Sequence, residues 1–115
     1  MRIVAPGDPI ALSELKAMAA DMFGDMVKAV VDVERRVMAV DAELHADEEA
    51  ALLESGSRQA DLWGINLYPD MRGEDFVEFD SMLNLRPARG NRSRGVEDRA
   101  LRERIIAVVD ELAGR

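Results

Sequence analysis

The side chain best suited to acid–base or metal chemistry is the single histidine of the sequence, His45. It stands among carboxylates, with Glu43 before it and Asp47 after it. Imidazole and carboxylate groups are common ligands of divalent metals, so these three residues are the candidate metal ligands. Their spacing matches no defined metal motif, and acidic residues are also expected in the first turn of a helix, where they complement the helix dipole. We therefore assign no metal site and expect no cofactor.

A second group of polar residues occupies alternating positions in segments that have the period of β-strands. The group comprises Asp32, Asn66, Glu78, Asp80 and Asn84. Neighbouring carboxylates can share a proton or a cation, so His45, Glu78 and Asp80 are the candidate catalytic residues. The alternative is a solvated sheet face without function, because one-sided burial produces the same alternation. Val30 and Met82 fall on this face as well, which favours contact of part of it with a partner.

A third group is the basic segment, which we define as residues 86–94. Its candidate anion-binding residues are Arg86, Arg89, Asn91, Arg92 and Arg94. Guanidinium groups bind phosphate oxygens in pairs, and backbone amides near glycine form anion-binding nests. The segment lacks the lysine and spacing of a P-loop and has no interleaved aromatic residues for base stacking. The alternative is a solvated loop whose arginines pair with an acidic surface.

Composition limits the classes of function. A chain of 115 residues suits one domain with a single core, and we expect one domain over residues 1–115. The chain has no cysteine, which excludes disulfides and thiol catalysis. No segment approaches the roughly 20 apolar residues of a membrane span, and the N-terminus has no apolar stretch typical of a secretory signal. We therefore expect a cytoplasmic location and no membrane partner.

The charge is acidic overall and unevenly distributed. The net charge of −8 argues against general DNA binding. Seven of the fifteen basic residues nevertheless lie between Arg86 and Arg104, where three acidic residues oppose them. A basic patch on an acidic body is thus the main electrostatic feature.

Seven elements are predicted to position these groups. Apolar spacing indicates helices over residues 12–22, 47–55 and 98–112. Alternating or valine-rich runs indicate strands over residues 27–33, 36–41, 62–68 and 76–86. In the helix at 47–55, Ala50 and Leu53 are expected to face the core, with Leu52 as a further candidate. The fold class is therefore α+β, with a four-stranded, mainly antiparallel sheet from two hairpins, about three helices covering one face, and the order α-β-β-α-β-β-α.

The pattern also indicates strand registers. A two-residue turn at Glu34 and Arg35 would pair Val33 with Arg36 and Val31 with Met38. Pairing of residue 68 with residue 76 would place Asn66 opposite Glu78. It would also place Gly64 opposite Asp80, leaving a gap in which a ligand could approach.

One long segment is distinctive, from Glu43 to Asn66: ELHADEEAALLESGSRQADLWGIN. Together with FDSMLNLRP at 79–87 and GNRSRGVED at 90–98, it resembles a family of small prokaryotic proteins catalogued as a domain of unknown function. The resemblance extends over nearly the whole chain and implies a self-contained domain. It implies no catalytic or binding residue.

Three functions follow from these observations. The first is a small regulatory or protein-interaction module that self-associates as a homodimer, with the basic segment of one copy on the acidic face of another. The alternative is a metal-dependent hydrolase or phosphate-handling enzyme, with the metal held by the ligands around His45 or by Asp32, Glu78 and Asp80. The second alternative is RNA or nucleotide binding through the basic segment. We prefer the first, because no group meets a catalytic template, while whether the protein is an enzyme stays open.

Overall fold

The computed structural model describes residues 1–114, which form a five-stranded sheet and three α-helices. In chain order the elements are β1 (Arg2–Val4), α1 (Leu12–Asp21), β2 (Val27–Asp32), β3 (Val37–Val40), α2 (His45–Glu54), β4 (Leu62–Leu67), β5 (Val77–Glu78) and α3 (Arg99–Leu112). Short 3-10 turns lie at Gln59–Asp61, Gly73–Phe76, Met82–Asn84 and Pro87–Arg89. No helix within residues 1–114 has the length and apolar character needed to cross a membrane.

The α+β class and its three helices are confirmed, but the sheet has five strands where the sequence predicted four. The strand order is β1-β3-β2-β4-β5, and every neighbouring pair is antiparallel. The additional strand, β1, pairs with β3 at the edge of the sheet. It is three residues long and is followed by Pro6 and Gly7, so it is too short for an alternating pattern to reveal it.

The register of the first hairpin is confirmed where Val31 pairs with Met38. The turn is wider than predicted, because the last strand pair is Asp32 with Val37 and residues 33–36 form the loop. The Asp32 carboxylate accepts the backbone N–H groups of Glu34 and Arg35, each at 2.9 Å. This side chain therefore stabilises a turn whose residues are poor formers of a tight two-residue turn.

The second hairpin has the predicted register, with Asn66 opposite Glu78. Its second strand ends at Glu78, whereas the sequence predicted a strand over residues 76–86. Beyond that point the side chain of Asn84 replaces a strand at the edge of β4. Its Oδ1 accepts the N–H of Gly64 at 2.8 Å, and its Nδ2 donates to the Gly64 carbonyl at 2.8 Å. A side-chain amide thus satisfies the backbone groups that β5 leaves unpaired.

Helices cover both faces of the sheet, so the prediction of one covered face and one solvated face is wrong. The first face packs against α1 and α3 in the main core, which includes Leu15, Ala29, Val31, Met38, Trp63, Ile65, Ile105 and Leu112. The second face packs against α2 in a smaller cluster of Val30, Val37, Ala39, Leu52 and Leu62. The polar residues predicted to face water, among them Asp32, Asn66 and Asn84, lie on this covered side and are buried.

Candidate functional site

A row of polar side chains crosses the second face beneath α2. His45, Glu48 and Leu52 lie on the inner side of α2, because residues three and four positions apart share one side of a helix. Opposite them, Lys28 of β2 and Asn66 of β4 are cross-strand neighbours. We call this row the polar strip. It consists of Lys28, His45, Glu48, Asn66, Glu78 and Asp80.

His45 is fixed in the polar strip by a hydrogen bond to the backbone. Its Nε2 donates to the carbonyl oxygen of Ile65 at 2.8 Å, and because a carbonyl can only accept, the proton must be on Nε2. Burial lowers the pKa of His45; the bond to Ile65 and the Asp80 carboxylate oppose this effect, and Lys28 and Arg94 reinforce it. The ring is therefore neutral at pH 7, with Nδ1 as its acceptor.

Glu48 is the most unusual residue of the strip, since its side chain is a carboxyl group with 0% exposure. Its Oε2 accepts the N–H of Ala42 at 3.2 Å, while Oε1 has no hydrogen-bond partner within residues 1–114. Burial raises the pKa of Glu48 to about 9, against the lowering effects of the Ala42 N–H and Lys28. Glu48 is therefore a neutral carboxylic acid at pH 7.

The other end of the strip brings together the remaining candidate catalytic residues. Glu78 Oε1 accepts two hydrogen bonds, from Asn66 Nδ2 at 2.9 Å and from the Tyr68 hydroxyl at 3.0 Å. Asp80 accepts from Arg94 Nε at 2.6 Å. The Oδ1 atom of Asn66 is buried and has no hydrogen-bond partner in the described part of the chain. The predicted pairing of Asn66 with Glu78 is confirmed. Asp80 does not pair with Gly64 as predicted, because β5 ends at Glu78, and the backbone carbonyl of Asp80 instead accepts from Asn66 Nδ2 at 3.4 Å.

The candidate metal ligands are not gathered at one point. Glu43, directly before α2, and Asp47, in its first turn, are exposed, whereas His45 points inward. Asp32, the other carboxylate considered with Glu78, lies four residue positions away along β4, or roughly 13 Å at strand spacing. Over residues 1–114, no three His, Cys, Asp or Glu side chains are arranged to hold a metal ion.

The space beside Gly64 is filled by Ser81 and is not open to a ligand. A Cβ atom on Gly64 would lie 2.4 Å from Ser81 Oγ and 2.5 Å from Ser81 Cβ. Both distances are far below van der Waals contact, so only glycine fits here without a shift of the 81–84 turn. The side chain of Ser81, which is buried, therefore occupies the space that was predicted to be a gap.

We expect Gly64→Ala to lower the free energy of unfolding by about 2 kcal/mol, the typical cost of inserting a methyl group into a filled core. Urea denaturation followed by Trp63 fluorescence measures this change. The double variant Gly64→Ala with Ser81→Gly should recover part of the loss, because the clashing Cβ and Oγ atoms are removed. Equal stability of Gly64→Ala and the wild type would contradict this packing.

Two arginines of the basic segment bind the protein's own carbonyl groups. Arg86 donates to the Leu62 carbonyl from Nη2 at 2.6 Å, and its guanidinium lies 4.5 Å from the centre of the Trp63 ring. Arg89 donates to the Ala60 carbonyl at 2.6 Å. These contacts tie the segment to the edge of β4.

The other three candidate anion-binding residues point elsewhere. Asn91 is buried, and its amide donates to the carbonyls of Asn84 and Gly95, so it shapes the loop. Arg94 pairs with Asp80, and the side chain of Arg92 is exposed. The five residues therefore do not converge on one point.

Sequence reasoning missed two members of the strip, Lys28 and Glu48. Glu48 looks like an ordinary acidic residue of a first helical turn. The helix begins at His45 and buries Leu52, the further candidate for the core side. Ala50 and Leu53 are exposed, contrary to the prediction. The spacing of residues 45, 48 and 52, which puts them on one side of a helix, could have indicated that Glu48 faces the sheet.

A family model described as Protein of unknown function matches residues 3–112. The chain belongs to this family, DUF5674. The resemblance found in the sequence is thereby confirmed over nearly the whole chain. Comparisons with curated proteins and with solved structures gave no match.

Proposed function

We propose that this protein is a cytoplasmic, non-enzymatic interaction module that forms a two-fold homodimer through the outside of α2 and the adjoining turn. The observation that carries the proposal is a group of exposed apolar side chains, which we call the apolar surface. It consists of Leu53, Met82 and Leu85, whose exposures are 39%, 62% and 41%. Apolar patches that stay exposed in a folded chain often mark interaction sites.

The three residues belong to neighbouring elements. Leu83 packs against the small core cluster that contains Leu52, so the 82–84 turn lies beside α2. Met82 and Leu85 flank Leu83 in sequence, and Leu53 follows Leu52, yet all three are exposed. Leu52 and Leu83 thus anchor α2 and the turn on the same core cluster, and their exposed neighbours form the apolar surface.

Charges on either side of the apolar surface support a second copy of this chain as the partner. Three exposed acidic residues, Glu43, Asp47 and Glu54, lie on or directly before α2, which contains no lysine or arginine. The basic segment follows the turn in sequence, and its Arg92 is exposed. A two-fold axis through the apolar surface would place the acidic helix of one copy against the basic segment of the other.

The arrangement of the polar groups gives less support to an enzyme or a phosphate site. Glu48 and Asn66 are buried beneath α2, and His45 uses Nε2 to bind the backbone. Arg86 and Arg89 are engaged with carbonyl groups rather than held ready for an anion.

Size-exclusion chromatography with light scattering tests the proposal. We expect a wild-type dimer and a double variant, Leu53→Lys with Met82→Lys, whose dimer is at least tenfold weaker, or about 1.4 kcal/mol. Met71→Lys is the matched control, since Met71 is also exposed but lies outside the apolar surface. Arg92→Glu should weaken the dimer at low ionic strength and have less effect at high ionic strength, where charges are screened. A monomeric wild type at both ionic strengths would contradict the proposal.

A further inference from the structure

We propose that α2 is a displaceable cover over the second face of the sheet, and that the charge state of Glu48 decides whether it is seated. With a neutral Glu48 the helix stays on the sheet, and with an ionised Glu48 it leaves. The inference does not depend on the proposed dimer. Displacement of α2 would also affect the proposed dimer, because it would carry Leu53 away from the apolar surface.

The helix has few buried apolar anchors. Its fully buried residues are Glu48 and Leu52, so Leu52 is its one fully buried aliphatic side chain, and the bond from His45 Nε2 to the Ile65 carbonyl is a further contact with the sheet. By comparison, α3 buries four aliphatic residues, Ile105, Val108, Val109 and Leu112. The N-terminal residue before α2, Leu44, supplies no side-chain cap. Elements with few buried apolar contacts are the ones that open locally while the rest of a protein stays folded.

Unsatisfied polar groups collect around this helix. In residues 1–114, the buried side-chain atoms without a hydrogen-bond partner are Glu48 Oε1, Glu49 Oε2, Asn66 Oδ1 and Arg86 Nη1. The first two belong to α2, Asn66 lies beneath it in the polar strip, and Arg86 is within the electrostatic reach of Glu49. Displacement of α2 would carry the two glutamate oxygens into water, which offsets part of the cost of opening.

The charges that face Glu48 do not neutralise it. They are Lys28 on β2, Asp41 after β3 and the amino group of Met1 before β1. The Lys28 ammonium lies over the ring of Phe23, 5.1 Å from its centre. An ionised Glu48 would therefore be a buried charge without a close partner, which is strongly unfavourable unless the group reaches water.

Opening would uncover a second apolar surface. Val30, Val37, Ala39 and Leu62 lie under α2 and are buried while it is seated. Burial raises the pKa of Glu48 to about 9, and exposure would return it to near its ordinary value of 4.5. The equilibrium constant for opening should therefore rise about tenfold per pH unit between these values, or about 100-fold from pH 6 to pH 8.

The lack of cysteine allows a direct test by thiol labelling. Ala39→Cys places a reporter under α2, and Ala29→Cys places a matched reporter on the opposite face, where both alanines have 0% exposure. Alkylation by iodoacetamide is measured from pH 6 to pH 8. Each rate is divided by that of the same variant unfolded in urea at the same pH, which removes the effect of thiol ionisation.

We expect the reporter at position 39 to react at least tenfold faster than that at position 29 at pH 8. Its corrected rate should rise about tenfold per pH unit, and Glu48→Gln should reduce that rise to less than twofold over the whole range. Glu54→Gln, an exposed change on the same helix, should leave the rise intact. Val30→Cys, also under α2, is a second reporter if Ala39→Cys perturbs folding.

Two results would overturn the proposal. Equal rates at positions 39 and 29 would mean that α2 leaves only when the whole protein unfolds. A pH-dependent rise that persists in Glu48→Gln would mean that another group controls opening. Both measurements are made on dilute protein, so they are independent of whether the dimer forms.

Discussion

Glu48→Gln is expected to stabilise the protein more at pH 7 than near pH 4. The difference in free energy of unfolding between the variant and the wild type should be about 3 kcal/mol larger at pH 7. The carboxyl group is fully buried and its pKa is raised to about 9, whereas in the unfolded chain it ionises near its ordinary value of 4.5. Glutamine has nearly the same shape and no acidic proton to lose. The variant therefore keeps the stability that the wild type loses when the pH rises.

The sign follows from proton binding in the two states. Below about pH 4.5 both states of the wild type carry the proton on Glu48, and its full contribution to stability is present. As the pH rises from there towards 9, the unfolded state has released the proton while the folded state retains it, so unfolding becomes easier. The loss is about 1.4 kcal/mol per pH unit in this range.

Urea denaturation at several pH values from 4 to 8 measures the effect. The stability difference between Glu48→Gln and the wild type should be constant below about pH 4 and should widen steadily above pH 5. Glu54→Gln, which changes an exposed carboxylate of the same helix, should give a curve parallel to that of the wild type. Parallel curves for Glu48→Gln as well would show that Glu48 is already ionised in the folded protein.

Asn84→Ala is expected to cost at least about 3 kcal/mol of stability. The change removes the donor and the acceptor that satisfy both backbone groups of Gly64, and also the bond from Asn84 Nδ2 to the Arg94 carbonyl at 2.9 Å. The residue has 0% exposure, so water does not replace these bonds without rearrangement. Each buried backbone group left unpaired costs about 1–3 kcal/mol.

Urea denaturation and hydrogen exchange at the Gly64 amide test this role. Asn84→Ala should greatly accelerate exchange at Gly64, whereas Met71→Ala, an exposed change outside both this turn and the apolar surface, should alter stability by less than about 0.5 kcal/mol. Asn84→Asp keeps an acceptor for the Gly64 N–H but places its second oxygen against the carbonyls of Gly64 and Arg94, so it should also lower stability. Unchanged protection of Gly64 in Asn84→Ala would contradict the assigned role.

The polar strip was predicted in part. The alternation of residues in the second hairpin placed Glu78 opposite Asn66, because one correct register fixes the side of every residue in a strand. The pairing of Asp80 with Gly64 failed, because β5 ends at Glu78. The interpretation of that face as solvated failed, although a signal against it was present. Val30 and Val31 are consecutive apolar residues of β2, and Ala39 follows Met38 on β3, which is the pattern of strands covered on both faces.

The amino-acid sequence by itself determined the three helices, the central strands and the registers of both hairpins, because each of these depends on periodicity within a short segment. It also determined membership of the DUF5674 family. Tertiary structure alone decided that α2 covers the second face, that Asn84 completes the edge of β4 and that Glu48 is held neutral. The reason is that hydrogen bonding and the pKa of a side chain depend on groups that are distant in the chain and meet only after folding.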